Sequence, residues 1–127
     1  MKTVLCLATG ETYDLVLNTG VTAHPLTRPY PSSIPEYVIP IKKGGKLEYL
    51  FQVKEIIDCY PDEICSSNLR AKNLVIYHEN RKDAFGYGQP NAIYRFYILN
   101  ESPIHLKEVS RKGIRVAAWM SLNDLSQ

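Results

Sequence analysis

The chain has 127 residues, 45% of them apolar and 22% charged, with a formal net charge of +2. These are the values of one globular domain, long enough to bury a core without staples, and they exclude a disordered or low-complexity chain. The N-terminal apolar run, Val4–Ala8, is too short for a signal-peptide core or a membrane span, and three cysteines, an odd count, argue against a disulfide framework. A single domain over 1–127, cytoplasmic and without a membrane partner, is the expectation.

The first strand is expected at Thr3–Ala8, with Cys6 in its core. After a turn at Thr9–Gly10, the apolar stretch Tyr13–Leu17 reads as a second strand, closed by Asn18–Gly20. The segment Ala23–Pro35 carries four prolines and reads as a loop, in which His24, Arg28 and Tyr30 have side chains able to reach a ligand. A Pro-rich linker covering a sheet edge has the same composition, and is the preferred reading. Glu36–Ile41 reads as a strand, with Pro40 marking a sheet edge or a bulge. Lys42–Gly45 then turns the chain through two glycines into Leu47–Ile56, making a hairpin.

Leu47–Ile56 alternates with period two. Leu47, Tyr49, Phe51 and Val53 share one face, and Glu48, Gln52 and Lys54 the other. Pro61, followed by Asp62 and Glu63, reads as the first turn of a short helix reaching about Ala71. Asn73–Tyr77 reads as a strand and Glu79–Asn91 as a polar loop, within which Gly86 and Gly88 flank an aromatic pair, Phe85 and Tyr87. Ala92–Leu99 again alternates, sorting Tyr94, Phe96 and Ile98 from Ile93, Arg95 and Tyr97. Gly113–Trp119 reads as a last strand, and Ser121 with Asp124 has capping-box spacing for a short terminal helix. Trp119 either plugs the end of the core or lines a pocket.

The charge is unevenly spread: six Lys/Arg against eight Asp/Glu through Ser66, and nine against five from Ser67 onward. Arg70, Lys72, Arg81, Lys82, Arg95, Arg111, Lys112 and Arg115 form a basic patch only if folding gathers them; otherwise they are scattered solvated charges. Cys59 and Cys65 lie too far apart for a zinc knuckle even with His78 nearby, so no metal or other cofactor is expected. Glu48, Glu55 and Asp58 lack the accompanying lysine motif of a metal-dependent nuclease. No phosphate-cradling Gly-rich loop, Gly-x-Ser-x-Gly elbow or paired-His motif is present, which excludes nucleotide hydrolase, serine esterase and zinc protease readings.

The succession EYVIPI, hairpin, LEYLFQVKEI, helix, then AIYRFYIL followed by NESPIHL resembles the PUA-like superfamily, the small β-barrels that include the PUA, ASCH, EVE and YTH domains. The resemblance covers roughly Glu36 to Leu106 and rests on strand texture. It implies an α+β fold, a compact and mostly antiparallel β-barrel with two or three short helices. It also implies binding of RNA or DNA, in several members with a modified base held in an aromatic and polar pocket. The tryptophan cage of the YTH branch and the N-terminal pattern of EVE domains are absent, Trp119 standing alone.

Such a barrel holds an unpaired or flipped base by stacking and its phosphates by Lys and Arg. The residues expected to face the ligand are Tyr94, Arg95, Tyr97, Phe85 and Tyr87, with Arg81, Lys82, Arg111 and Arg115 at phosphates. Two other classes compete. One is a small metal-free ribonuclease-type toxin using His78, His105, Tyr87 and Arg81 as acid, base or anchor. The other is a protein-interaction module of a bacterial or phage system, using the strand edge near Pro40 or the Pro-rich loop.

Overall fold

The computed structural model describes residues 3–27, 33–42, 44–64, 72–81, 92–110 and 117–121. In chain order they form β1 (Thr3–Ala8), a 3₁₀ turn (Gly10–Thr12), α1 (Tyr13–Thr19), β2 (Val21–Pro25) and β3 (Tyr37–Lys42). Then come β4 (Lys46–Cys59), a second 3₁₀ turn (Pro61–Glu63), α2 (Lys72–Arg81), β5 (Tyr94–Leu99), β6 (Ile104–Ser110) and β7 (Ala117–Ser121). All seven strands join one sheet of order β2-β5-β4-β3-β1-β7, with β6 also paired to β4. Only β1 and β3 run parallel; every other pair is antiparallel.

The α+β class and the mostly antiparallel sheet agree with expectation, but the sheet is not a closed barrel. Strands β2 and β7 end it without pairing to each other among the described residues. Helices α1 and α2 pack on one another, with α1 also against β2 and β3 and α2 against β2.

Both helices replace expected strands. In α1 the buried residues are Tyr13, Val16 and Thr19, a spacing of three that suits a helix face, and in α2 they are Leu74 and Tyr77. Ile76, a core position had this segment been a strand, is instead exposed. The β-branched and aromatic content that favours strand is overridden by the packing of these faces on the sheet. Gly20 ends α1 in the left-handed region (φ 70°), its N–H donating to Val16 O at 2.7 Å, as a helix C-terminus requires. The expected helix after Pro61 stops after one 3₁₀ turn, since Ile64 is extended (φ −82°, ψ 117°). Its continuation toward Ala71, the Phe85/Tyr87 loop and the terminal helix beyond Ser121 lie outside the described residues.

The β3–β4 hairpin forms as expected, with Gly44 (φ 96°) and Gly45 (φ 88°) in its turn. Pro40 sits inside the sheet rather than at an edge, where a register irregularity between Val38 and Ile41 relieves it of a ladder bond to β4. The start of the Pro-rich segment is not loop: Ala23, His24 and Pro25 belong to β2.

Two apolar clusters form the core. The larger takes Leu5 and Leu7 of β1, Val16, Val21, Val38, Phe51, Leu74, Tyr77 and Phe96. The smaller takes Val4 and Cys6, which alternate with Leu5 and Leu7, together with Ile39, Ile41, Leu47, Leu50, Leu106 and Met120. Cys6 is thus a core strand residue, its Sγ 3.2 Å from Met120 Sδ. Trp119, paired with Leu5 on the end strand β7, keeps 40% of its surface exposed.

Because Gly20 needs a left-handed backbone, Gly20→Ala is expected to cost about 1–2 kcal/mol. A Cβ there would meet Leu99 O at an ordinary 3.7 Å, so the cost is conformational and not a clash. Urea denaturation should show a lower midpoint with an unchanged slope.

Candidate functional site

Strand β4 is 14 residues long and carries two partners in succession on one edge. Opposite β3, it pairs with β5 from Val53 to Cys59 and with β6 from Lys46 to Leu50. Between them the chain jogs through Asn100–Pro103, where Asn100 N–H still donates to Gln52 O at 2.8 Å. The Asn100 side-chain oxygen accepts from Ser102 N–H at 3.0 Å, so the jog is an Asx turn that leaves the amide NH₂ as the group to present outward. Leu99 N–H donates to Gly20 O at 2.8 Å, fixing the end of α1 against the same seam.

At this seam lies a cleft of 670 Å³, within the range of small-molecule and nucleotide sites. Its walls are the end of α1, the middle of β4, the start of α2 and the β5–β6 jog. The chemistry-bearing residues are Tyr49 and Phe51, the amides Asn18, Asn73 and Asn100, the cations Lys54 and Lys72, and the carboxylates Glu55 and Glu101. Lys54 falls at a register shift in the β4–β5 pairing, between Val53 and Glu55. This irregularity lets two consecutive residues, Lys54 and Glu55, both border the cleft, which strict alternation forbids. Among the described residues neither Lys54 nor Lys72 makes an ion pair.

The expected ligand-facing residues on β5 are elsewhere. Tyr94, Arg95 and Tyr97 are buried, with 1%, 8% and 0% of their surface exposed, because β5 is a central strand covered on both faces. Arg95 forks onto Asp58, Nε to Oδ1 at 2.9 Å and Nη2 to Oδ2 at 3.1 Å, and also reaches the Tyr97 hydroxyl. His24 Nδ1 lies 2.9 Å from Pro25 O and Nε2 lies 2.8 Å from the Tyr97 hydroxyl. A carbonyl only accepts, so Nδ1 carries the hydrogen and Nε2 accepts from Tyr97. Hydrogen bonds thus link Asp58, Arg95, Tyr97 and His24 across β4, β5 and β2, with Arg95 donating both ways, to Asp58 and to the Tyr97 oxygen, Tyr97 donating to His24, and His24 donating to Pro25 O.

The electrostatics agree with this order. Burial holds His24 below the usual imidazole value of 6.5, helped by the charges of Arg95 and Arg81 against the Pro25 carbonyl and Asp58. Burial pushes Tyr97 up to about 12 although Arg95 opposes it, and the Asp58 hydrogen bond raises Arg95. Arg81 donates to Ala23 O at 3.3 Å and to the Tyr77 hydroxyl, tying α2 to β2. Phe85, Tyr87, Lys82, Arg111 and Arg115 lie outside the described residues, as do Arg28 and Tyr30. Of the ribonuclease set, His78, Arg81 and His105 do not line this cleft, and Tyr87 lies outside the described residues. No cluster of metal-ligating side chains occurs among the described residues, and no helix there is long and apolar enough to cross a membrane.

Alternation on β4 does single out Tyr49 and Phe51. The bulge carries Lys54 to this cleft from the face that alternation gives it, and Lys72 and Asn73 reach it because Lys72–Arg81 is a helix and not a strand. The Asn-Glu-Ser-Pro turn between two apolar runs was the one local signal for the jog.

No family model matches the sequence, and no curated protein is similar to it. Solved structures do resemble the fold. The ASCH protein of Zymomonas mobilis superimposes with a TM-score of 0.59 at 7% identity, over 97% of this chain and 91% of that one. A Ser-to-Ala variant of the same protein gives 0.60 at 8% identity, covering 97% and 92%. A Tyr-to-Phe variant gives 0.57 at 10% identity, covering 97% and 94%. The fold is that of an ASCH domain. The PUA-like resemblance of the sequence therefore holds at the level of fold, and the ASCH likeness extends beyond Glu36–Leu106 to nearly the whole chain.

Two outcomes follow from the buried chain of this ASCH-type fold. Tyr97→Phe strands the His24 acceptor and one Arg95 contact, and should cost about 1–3 kcal/mol in urea unfolding. As for pH, the unfolded chain protonates His24 near its ordinary value while the native state resists. Stability from this group is therefore complete above about pH 6.5 and is lost as pH falls from there toward the lower native value. Melting temperatures between pH 7.5 and 5.5 should fall for the native sequence and fall less for His24→Gln.

Proposed function

We propose that this chain is an RNA-binding domain that seats one unpaired or flipped base in the cleft at the β5–β6 jog. The observation that carries this reading is the lining of the cleft, which combines an aromatic platform, amides and two unpaired lysines in one concave site. Tyr49, half-buried, offers a ring for stacking, with Phe51 behind it as the floor. Lys54 and Lys72 supply phosphate contacts. Asn73 and the outward amide of Asn100 have the donors and acceptors to read a base edge, and Glu55 accepts from an exocyclic amino group. The stacking and phosphate roles expected of Tyr94, Tyr97 and Arg81 pass to these residues, while Arg95 and Tyr97 hold the scaffold.

The ASCH-type fold supports the class of ligand, since PUA-like domains bind nucleic acid. The opposed charges of Lys54, Lys72, Glu55 and Glu101 favour one nucleotide of a strand inside the cleft over a run of backbone phosphates, because carboxylates at the rim repel further phosphates there.

The test is fluorescence-anisotropy binding of short single-stranded RNAs, with and without modified bases, as salt is raised. Lys54→Ala and Lys72→Ala should each weaken binding several-fold and shallow the salt dependence by about one phosphate contact. A duplex of the same sequence should bind at least about tenfold more weakly, its bases being paired. Salt-insensitive binding, or none at low salt, would sink the proposal and direct attention to protein partners.

A further inference from the structure

Tyr49 does not end the aromatic surface at the cleft wall. Across the β4–β6 ladder it pairs directly with His105, and the two rings meet edge to face, with centroids 5.2 Å apart and planes at 74°. On its other side Tyr49 lies 6.4 Å from the Phe51 ring. Exposure rises along this row: Phe51 is buried, Tyr49 half-buried and His105 exposed. The row passes from the floor of the cleft to the outer surface of β6, just beyond the Asn100–Pro103 jog.

Two rings near right angles form a corner, not a closed stack. A corner leaves a ring face open to a third planar group, which then also meets the edge of the second ring. Beside a site read as holding one base, the planar group that follows is the next base of the same strand. We infer that the ligand is a single strand of at least two nucleotides, whose neighbouring base leaves the cleft and packs into the Tyr49–His105 corner. This rests on the base-binding reading of the cleft and adds the class of substrate: an oligonucleotide rather than a free nucleotide.

The alternative role for His105 is an ordinary surface ring that packs on Tyr49, and ligand length separates the two. Isothermal titration with 5′-mononucleotides and with the matching di- and tetranucleotides of RNA compares the native chain with His105→Ala and His105→Phe. The expected result is a gain of roughly tenfold from mono- to dinucleotide, lost in His105→Ala and retained in His105→Phe, with mononucleotide affinity unchanged in both. Thermal melts check that the exposed substitutions leave the fold intact. Equal binding of mono- and dinucleotides, or a dinucleotide gain that survives His105→Ala, overturns the inference and leaves the cleft reading standing. Absence of binding to every RNA overturns both.

Discussion

The interaction on which the rest of the structure depends is the pairing of β4 with two strands along one edge. A 14-residue strand offers more backbone donors and acceptors than a six-residue β5 can use, and β6 takes the remainder. The two partners run in the same direction, so the chain joining them needs only a jog, Asn100–Pro103, and not a crossover. That jog satisfies its own polar groups through the Asx turn and the bond to Gln52, and in doing so breaks the continuity of the sheet surface. The cleft is a geometric consequence: where one partner stops and the next begins, side chains of β4 are left without cover from that edge. The ends of α1 and α2 close the space on the other sides.

A cleft built at a seam needs its walls held still, and the polar chain of buried His24, Tyr97 and Arg95, ending on the exposed carboxylate of Asp58, acts there. His24, Arg95 and Asp58 are paired in one row across β2, β5 and β4, with Tyr97 two residues along β5, and the directional bonds are satisfied only in one alignment. A one-residue slip of β5 would turn Arg95 and Tyr97 to the opposite face and leave His24 and Asp58 without these partners. Burying such groups stabilises the fold less than apolar residues of the same size would, but it specifies the register. The end of β5, Ile98–Leu99, then reaches the cleft in a fixed position, reinforced by the Leu99–Gly20 bond. Arg81 does the same for the helix layer by joining α2 to β2.

Much of this was legible in the sequence, and the misses have physical causes. The alternation of Leu47–Ile56 and Ala92–Leu99, the two-glycine hairpin and the first strand are local signals that the sheet obeys. Tyr13–Leu17 and Asn73–Tyr77 are short apolar runs whose composition fits either period. Their spacing of three between Tyr13 and Val16, and between Leu74 and Tyr77, becomes decisive only when a sheet lies beneath them. Pro40 marked a bulge, as one of its two readings had it. The irregularity at Lys54 carries no residue signature, so alternation puts Lys54 on the face opposite Tyr49 and Phe51, and the cleft is not legible from it. Tyr97 and Arg95 looked like ligand groups because they are polar and aromatic on a strand; whether a strand is central or at an edge is a property of the whole topology.

The basic bias of the second half of the chain also resolves into separate tasks. Arg95 is spent on Asp58, Arg81 on Ala23 O and Tyr77, and of the cations Lys72 alone among these three borders the cleft. Among the described residues the cleft balances Lys54 and Lys72 against Glu55 and Glu101. On the proposed base-binding reading, affinity comes from desolvated contacts: a ring face at Tyr49, the amides of Asn73 and Asn100, and two lysines placed by a bulge and a helix start. On that reading, the arrangement selects by shape and hydrogen bonding at one nucleotide and its neighbour, unlike the broad cationic grooves that track a backbone irrespective of sequence.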